Sequence, residues 1–363
     1  MVGMRRKHGQ KGFMGLAARG LMLLAGSMLL LSCLSVFVDP SKAWWIAVLG
    51  VLYFPLVLLN GGLLVWAVIR WSKAAWIPLI PLLCALPLFG CVLQFSSGAD
   101  EPTGEEVRIV SWNVGHFAQA GNRKIPDSAA CADSVARFLR ACKADIICLQ
   151  EVLTQDARSI RRELEARFPG YHFEYYMNLA PAGSYGNVTL SRQPILDKGK
   201  LDFPHSANLA IWTDHEIRGR RVRVYNCHLE SYSLKWNGHD STLVRTTEKK
   251  LRASIHRRPR QVEQVLSHMA EVSVPSVVAG DFNDSPVSFT YRKFLEGRQD
   301  AFVAAGRCIG ATYRYIPFLR IDYVFCPPDA AVSSCRVERV KLSDHYPIIT
   351  DINLFEHGKK ESD

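Results

Sequence analysis

A short stretch near position 280 joins an apolar run to side chains that bind cations or phosphate groups. Residues 277–279 are apolar and lead into Gly280, Asp281, Phe282 and Asn283. Such a run is typical of a buried strand, and side chains alternate along a strand, so Asp281 and Asn283 emerge on the same side at its end. A turn with a capping aspartate has the same local pattern, so this stretch does not define a site by itself.

The rest of the chain repeats this arrangement, because strand after strand ends in an amide, a carboxylate or an imidazole. These side chains are Asn113, Glu151, His228, Asp281, Asn283, Asp322, Asp344 and His345. Oxygen ligands without thiolates select Mg²⁺, Mn²⁺ or Ca²⁺. Carboxylates and two histidines around such an ion are suited to the attack of water on phosphorus. The set therefore predicts a metal-dependent hydrolase of phosphoesters.

The elements that must position these side chains alternate between strand and helix patterns from Glu105 onward. Short apolar runs at 107–112, 145–150 and 222–229 predict strands, and spaced apolar residues at 158–168 predict an amphipathic helix. About 260 residues are enough for one substantial hydrophobic core. The pattern therefore predicts an α/β domain.

Six short motifs, each modest alone, occur in an order that resembles one known family. They are Ser111-Trp112-Asn113, Leu149-Gln150-Glu151-Val152, Asn226-Cys227-His228-Leu229, Gly280-Asp281-Phe282-Asn283, Arg320-Ile321-Asp322-Tyr323 and Ser343-Asp344-His345. On these motifs the segment from about Val107 to Leu354 resembles the endonuclease/exonuclease/phosphatase superfamily, the deoxyribonuclease-I-like metal hydrolases. The resemblance implies a four-layer α/β/β/α sandwich with the active site at one edge of its two sheets.

The resemblance also implies roles for the site residues. It places Glu151 and Asn113 on the metal with Asp344 nearby, and the expected ion is Mg²⁺, with Mn²⁺ or Ca²⁺ as alternatives. Asp322 would orient His345, and this imidazole would take a proton from the attacking water, a role typically worth about 10²–10⁴-fold in rate.

Three further catalytic residues complete the expected set. Asn283 and His228 would bind the substrate and donate hydrogen bonds to the charge that develops on phosphorus. Asp281 would either help to activate the water or manage the leaving-group proton, and the sequence does not separate these roles. Gly115 departs from the family pattern, because many nucleases of the superfamily have an acidic or polar side chain there. The neighbouring His116 is assigned to the surface or to the surroundings of the site.

A basic segment after His228 is the main indication of the substrate. Its charged residues are Lys235, Arg245, Lys249, Lys250, Arg252, Arg257, Arg258 and Arg260, against Asp240 and Glu248. We expect Lys235, Arg257 and Arg258 to bind an anionic substrate or anionic lipid headgroups. The alternative is a solvated loop that leads into a helix.

The N-terminal part differs in character, because most of the formal net charge of +10 lies before Ser97, beside three apolar runs. The runs, at about 16–38, 44–69 and 74–95, approach or exceed the roughly 20 residues that span a bilayer. They predict three transmembrane helices, and a cleaved signal peptide is the alternative for the first. The strongly basic N-terminus is expected in the cytoplasm.

Together these patterns predict a membrane anchor at 1–95, a tether at 96–104, a catalytic domain at 105–356 and a polar tail at 357–363. Three crossings leave the catalytic domain on the extracytoplasmic side of the plasma membrane, or of the inner membrane if the source is bacterial. The expected function is hydrolysis of a phosphodiester or phosphomonoester in a phospholipid or small phosphodiester. An extracytoplasmic nuclease is the second choice, and an inactive binding module on the same fold is the remote one.

Overall fold

The computed structural model describes residues 2–95, 99–117, 128–154, 159–178, 184–232 and 242–355, with the backbone alone at 2–14, 128 and 242–250. The chain divides into two compact units. One comprises Met1–Val92 with Val287–Phe289, and the other comprises Leu93–Pro286 with Thr290–Asp363.

The first unit is helical. Its helices are α1 (Val2–Leu34), α2 (Trp44–Val51), α3 (Tyr53–Ile69) and α4 (Trp76–Phe89). Leu29, Tyr53, Leu56 and Ala85 belong to its buried core, where the Tyr53 hydroxyl donates a hydrogen bond of 2.6 Å to the Ala85 carbonyl. The outer surfaces of these helices are apolar as well. Of the described large hydrophobic side chains that are exposed, all but Phe95, Leu196 and Tyr315 lie between Leu16 and Leu86.

The predicted number of three transmembrane helices, at 16–38, 44–69 and 74–95, is wrong for the described residues. Gly15–Leu34 is the one helix there that is long and apolar enough to cross a membrane by itself. Helices α2 and α3 pass the same test only together, and they are bent by 64°. Pro55 explains the break, because it has no N–H to donate to the carbonyl of Val51.

Helix α4 falls short of the predicted third span because of its length. Its 14 residues extend over about 21 Å, whereas the hydrocarbon core of a bilayer is about 30 Å thick. Pro81 and Pro87 lie inside the helix, where each removes one backbone hydrogen bond.

The second unit contains two six-stranded sheets. Sheet 1 has the order β11-β12-β1-β2-β4-β3, and sheet 2 has the order β5-β6-β7-β8-β10-β9. The strands are β1 (Val107–Asn113), β2 (Ile146–Thr154), β3 (His172–Asn178), β4 (Ser184–Ser191), β5 (Ile195–Asp202), β6 (Leu209–Ile217), β7 (Arg220–His228), β8 (Ser276–Asp281), β9 (Gln299–Asp300), β10 (Asp322–Cys326), β11 (Ala331–Val337) and β12 (Ile348–Asn353). The pairs β1–β2 and β7–β8 are parallel.

Helices cover the outer face of each sheet. They are α5 (Ser128–Ala141), α6 (Ile160–Arg167), α7 (Thr242–Ala270) and α8 (Phe289–Leu295). The short helix α9 (Ala301–Ala305) instead contributes its buried side chains to the core between the two sheets. Trp112 of β1 and Leu139 of α5 share the core on the outer side of sheet 1. Behind sheet 2, the Tyr225 hydroxyl of β7 is 2.9 Å from Nδ1 of His268 in α7. Phe325 of β10 stacks on a ring of α8.

A second core lies between the two sheets. Ile109 and Cys148 from sheet 1 share it with Val224 and Ala279 from sheet 2, and all four side chains are fully buried. The alternation of apolar side chains along each strand supplies both cores, one on each face. The predicted α/β sandwich of two sheets is therefore confirmed.

Three buried amides also join the sheets. Gln150 Nε2 in sheet 1 donates to Asn226 Oδ1 in sheet 2 at 2.8 Å. Asn226 Nδ2 in turn donates to the carbonyls of Leu149 and Val188 in sheet 1, and Asn187 Nδ2 donates to the Asn226 carbonyl at 3.0 Å. Because a buried amide without partners is costly, this network selects one alignment of the two sheets.

The segment predicted as a tether is bonded to the second unit where it is described. Gln94, just before it, exchanges two backbone hydrogen bonds with Cys308, of 2.9 and 2.8 Å. Asp100 then pairs with Val332 of β11, through the Asp100 amide at 3.0 Å and through its carboxylate at 2.9 Å.

Candidate functional site

Strand register in sheet 2 places three of the expected residues side by side. His228 at the end of β7 is opposite Asp281 at the end of β8, and Asp281 is opposite Asp322 at the start of β10. Gly280 permits this close pairing, because its φ is +145° and a Cβ there would lie 1.9 Å from the Cys227 carbonyl oxygen.

Sheet 1 contributes Asn113 and Glu151 from neighbouring strands. Asn113 ends β1 and is opposite Gln150 of β2. The pairing of β2 with β4 shifts between Leu149 and Val152, and Glu151 within this irregularity has a φ of +54°. A bulge of this kind turns a side chain out of the regular alternation, and here it accompanies the turn of Glu151 toward Asn113.

The Asn113 amide connects the carboxylates of the two sheets. Its Nδ2 donates to Glu151 Oε1 at 3.1 Å and to Asp281 Oδ2 at 2.9 Å. Its Oδ1 accepts a hydrogen bond of 3.0 Å from the Gly115 amide. In this arrangement Asn113 acts as a donor that orients both carboxylates, and its oxygen points to the backbone.

His345 and Asp322 form a buried pair. Nδ1 of His345 is 2.9 Å from Asp322 Oδ2, and its Nε2 is 3.8 Å from Asp281 Oδ2. Trp112 Nε1 donates to the His345 carbonyl at 2.9 Å, and the Thr312 hydroxyl accepts from the Asp322 amide at 3.1 Å. Both contacts fix the backbone of the pair.

Burial and charge act in opposite directions on the protons of this group. Burial lowers the pKa of His345, but the carboxylates of Asp322 and Asp281 outweigh it and raise that pKa well above its usual value. Burial raises the pKa of Asp281 to about 6, against the opposing effect of His345. The imidazole and the Asp281 carboxyl therefore compete for protons.

Ser343 holds Asp344 beside the loop that follows β1. Its hydroxyl donates to the Asn113 carbonyl at 2.8 Å and lies 3.2 Å from Asp344 Oδ1. A Cβ at Gly115 would lie 2.7 Å from the same Asp344 oxygen. A side chain at position 115 would therefore have to displace the Asp344 carboxylate.

Asn283 and His228 complete the group. The Asn283 amide group donates to the Leu229 carbonyl at 3.0 Å, and the Asn283 backbone N–H donates to Asp281 Oδ1 at 2.8 Å. The His228 side chain is only 7% exposed, and its Nε2 lies 3.5 Å from Glu151 Oε1 and 3.8 Å from Asp281 Oδ2. That nitrogen has no hydrogen-bond partner among the described residues.

The charges of the site fit a divalent cation. The carboxylates of Glu151, Asp281, Asp322 and Asp344 converge, and in the described part of the chain none of them forms an ion pair with a lysine or arginine. Burial raises the pKa of Glu151, but His228, His116 and the Asn113 hydrogen bond outweigh it, so the carboxyl ionises more readily than usual. A cluster of carboxylate oxygens without lysine or arginine partners is a group that Mg²⁺ or Mn²⁺ binds.

One subset, Asp281, Asp322 and His345, also has ligand atoms close enough together for a single ion. Nδ1 of His345 is already bonded to Asp322, however. The Nε2 atom of His345 remains available, and it faces Asp281 Oδ2 at 3.8 Å.

The structure contradicts the prediction that Arg258 binds substrate. Its side chain is 2% exposed and pairs with Asp284 at 3.0 Å. Nε and Nη2 both donate to the Glu230 carbonyl, at 3.0 and 2.8 Å, and the guanidinium lies over the ring of Tyr232. Arg258 thus joins the loop after His228 to the loop after Asp281 from inside the protein, where no substrate reaches it.

The other two expected substrate residues have different outcomes. Arg257 is 41% exposed and pairs with Glu230 Oε1 at 3.0 Å, so it remains a prediction. Lys235 lies outside the described residues.

Two further residues border the site. His116 Nε2 lies 3.4 Å from Glu151 Oε2, so of the two places expected for this residue, the surface or the surroundings of the site, the structure shows the second. Tyr313 pairs with His345 through an isolated β-bridge, and their ring centroids are 5.3 Å apart. The adjacent Gly115 was the available signal for His116, whereas no sequence pattern indicated Tyr313.

Arg258→Ala should lower the free energy of unfolding by about 3–5 kcal/mol, because it leaves Asp284 buried without its partner. The matched control is the exposed neighbour Arg257. Arg257→Ala should change the free energy of unfolding by no more than about 1 kcal/mol. Denaturant unfolding followed by tryptophan fluorescence measures both. A stable Arg258→Ala protein that had lost only substrate affinity would restore the substrate-binding role.

Two family models match separate parts of the chain. The model of the Endonuclease/Exonuclease/phosphatase family matches residues 110–345. A family described as a domain of unknown function (DUF8431) matches residues 15–92. No curated protein matches the chain.

Several solved structures share the fold of the second unit. The endonuclease/exonuclease/phosphatase from Bacteroides vulgatus is 21% identical, with a TM-score of 0.53 over 69% of this chain and 99% of that one. The corresponding protein of Beutenbergia cavernae is 21% identical, with a TM-score of 0.51 over 69% of this chain and 72% of that one. The catalytic domain of human Nocturnin, solved with a bound sulfate anion, is 19% identical, with a TM-score of 0.51 over 69% and 94%.

The likeness to these structures supports the two-sheet fold, and the family match extends over more than half of the chain. This chain belongs to the endonuclease/exonuclease/phosphatase family.

Proposed function

We propose that this protein is a divalent-metal-dependent hydrolase of phosphoester bonds that is held at a membrane by its first unit. The observation that carries the proposal is the convergence of the Glu151, Asp281, Asp322 and Asp344 carboxylates beside His228 and His345, without a lysine or arginine partner in the described chain. Such a group needs a cation, and it contains the bases that activate water.

The divalent cation, when bound, supplies polarisation of a phosphoryl oxygen and charge stabilisation for the leaving oxygen. Glu151 would hold it, with Asp344 near the same loop. Asn113 keeps Glu151 and Asp281 apart and in place through its two donated hydrogen bonds. The metal roles of Glu151, Asn113 and Asp344 are part of this proposal.

Proton removal is the task of Asp281 and His345. The imidazole Nε2 and the Asp281 Oδ2 face each other at 3.8 Å, and the pair shares one proton, so it can accept another from the attacking water. Nδ1 of the imidazole is bonded to Asp322, so Nε2 is the nitrogen that faces the reaction. The Asp322 carboxylate stabilises the imidazolium form of His345.

His228 and Asn283 stabilise the negative charge on the phosphoryl oxygens by hydrogen bonding. Nε2 of His228 has no protein partner in the described structure, and it can donate to a phosphoryl oxygen when protonated. Asn283 uses its Nδ2 to reach the Leu229 carbonyl, and the second hydrogen of that nitrogen is available to the substrate. Both interactions strengthen as negative charge develops on phosphorus.

The exposed apolar surface of the first unit supports membrane anchoring, because soluble proteins rarely expose so many large hydrophobic side chains together. With α1 crossing once and the basic N-terminus in the cytoplasm, the second unit lies outside the cytoplasm. We infer that the substrate is a phospholipid or a small phosphodiester in that compartment.

A nuclease is the second candidate, and the aromatic side chains beside His345 favour it. Tyr313 contacts His345, and Tyr315, which is 56% exposed, packs on Tyr313 with 5.6 Å between centroids. Exposed rings of this kind can stack on a nucleic acid base. Hydrolysis of sphingomyelin, phosphoinositides, bis-p-nitrophenyl phosphate and linear or nicked DNA with Mg²⁺ distinguishes the two candidates.

Glu151→Gln should raise the Mg²⁺ concentration needed for half-maximal hydrolysis by at least about 10-fold, because an amide oxygen is a weaker ligand than a carboxylate. Glu165→Gln is the matched control, since its side chain is 56% exposed on α6. Full turnover in excess chelator, or identical Mg²⁺ titrations of both variants, would exclude the proposed metal role.

His345→Ala should reduce the catalytic rate by about 10²–10⁴-fold, and the double variant with Asp322→Asn should be hardly slower. Asp322 acts through the imidazole, so its contribution disappears once the imidazole is removed. Near-ultraviolet circular dichroism must show that each variant is folded. If the losses of the two single variants multiply in a folded double variant, Asp322 acts independently of His345.

A reporter that is active only in the cytoplasm should be inactive when fused after Asp363 and active when fused before Met1. The basic residues before the first apolar helix are the physical basis of this expectation. Activity of the C-terminal fusion would mean an even number of crossings, with the bent pair α2–α3 as a second span.

A further inference from the structure

The loop after β1 has an unusual backbone. Gly115, His116 and Phe117 have successive φ angles of 52°, 57° and 56°. Glycine adopts this left-handed region readily, but a histidine and a phenylalanine do so at a conformational cost. Strain of this kind persists where the surroundings enforce it, and it is concentrated at functional sites.

The strained loop directs His116 toward the proposed metal carboxylate. Nε2 of His116 lies 3.4 Å from Oε2 of Glu151, on the side opposite Oε1, which is the oxygen nearest His228. The His116 side chain is 45% exposed, but its Nε2 atom is buried and has no hydrogen-bond partner among the described residues. The ring rests against Tyr185, with 5.2 Å between centroids.

The separation of these two atoms fits two ligands of one ion. Ligands about 2.0–2.2 Å from a metal, at the angles of octahedral or tetrahedral coordination, are about 3.0–3.5 Å apart. A direct hydrogen bond between imidazole and carboxylate is shorter, at about 2.7–2.9 Å when charged. The observed 3.4 Å therefore suits a shared cation better than a direct bond.

We propose that His116 is a nitrogen ligand of the cation that Glu151 holds. This inference rests on the metal site of the proposed function and adds to it. A side chain at Gly115 would meet the Asp344 carboxylate, and the left-handed turn brings the imidazole of the next residue to Glu151 instead. An imidazole favours Mn²⁺, Co²⁺ or Zn²⁺ over Mg²⁺ and Ca²⁺, which prefer oxygen. The site is thus tuned toward a transition metal.

Binding of Mn²⁺ to the full-length protein in detergent, measured by the electron paramagnetic resonance of free Mn²⁺, tests this inference without any substrate. His116→Asn should weaken Mn²⁺ binding at least about 10-fold. Mg²⁺ binding, measured by competition with Mn²⁺, should weaken less than about threefold. Asparagine tolerates the left-handed backbone, so the metal-free variant should melt at the same or a higher temperature.

His205→Asn is the matched control. His205 has a φ of 60° and is exposed, so the same substitution is made in the same backbone conformation away from Glu151. This variant should bind both ions like the wild type. Unchanged Mn²⁺ affinity in His116→Asn, or equal losses for both ions, would overturn the proposal.

Pulsed electron paramagnetic resonance of the Mn²⁺-loaded wild type provides a readout that needs no variant to fold. A nitrogen coupling from a directly bound imidazole is expected, and its absence would overturn the proposal. A coupling that persisted in folded His116→Asn would assign the nitrogen to another histidine. Nitrogen ligation without hydrolysis of any phosphoester would refute the proposed function alone. Mg²⁺-dependent hydrolysis without nitrogen ligation would refute this inference alone.

Discussion

Repulsion among the carboxylates of Glu151, Asp281, Asp322 and Asp344 is the constraint on which the rest of the site depends. Ionised groups that leave water without partners cost several kcal/mol each, by order of magnitude. The protein meets this cost with neutral donors and imidazoles, since Asn113 bridges two of the carboxylates and His345 faces two. These partners come from different strands and from both sheets. Small errors in strand register would therefore leave a charge uncompensated.

The layers behind the site reflect the same constraint. The amides of Gln150 and Asn226 cross between the sheets one residue before Glu151 and two residues before His228, so the alignment of the sheets and the position of the catalytic groups are set together. Arg258 likewise fixes the loops that follow β7 and β8 relative to each other, since it binds the Glu230 carbonyl and the Asp284 carboxylate. Buried polar networks of this type favour one native arrangement over near alternatives.

Local sequence patterns were sufficient for the strand ends and their polar side chains, because both follow from alternation along the chain, whereas the two-sheet sandwich was implied by the family resemblance. Tertiary packing was decisive where prediction failed. Arg258 and Arg257 are neighbours in one basic segment, and only the folded chain shows that one is buried and the other exposed. The position of His116 depends on a left-handed backbone that its own residue type disfavours. Hydropathy showed the apolar runs but did not show the bend between α2 and α3.

The backbone contacts of Gln94 and Asp100 have a consequence for where the proposed hydrolase works. Gln94 is bonded to Cys308 only two residues after Val92, the last residue of the N-terminal segment, and Asp100 is bonded to Val332. Both contacts lie within the second unit, so Gln94 and Asp100 are part of its fold. If the first unit is embedded as proposed, the second unit is covalently attached to the membrane, and substrates that share the membrane meet it at a high effective concentration. Whether a substrate shares the membrane, and not its affinity alone, would then decide which substrates are hydrolysed.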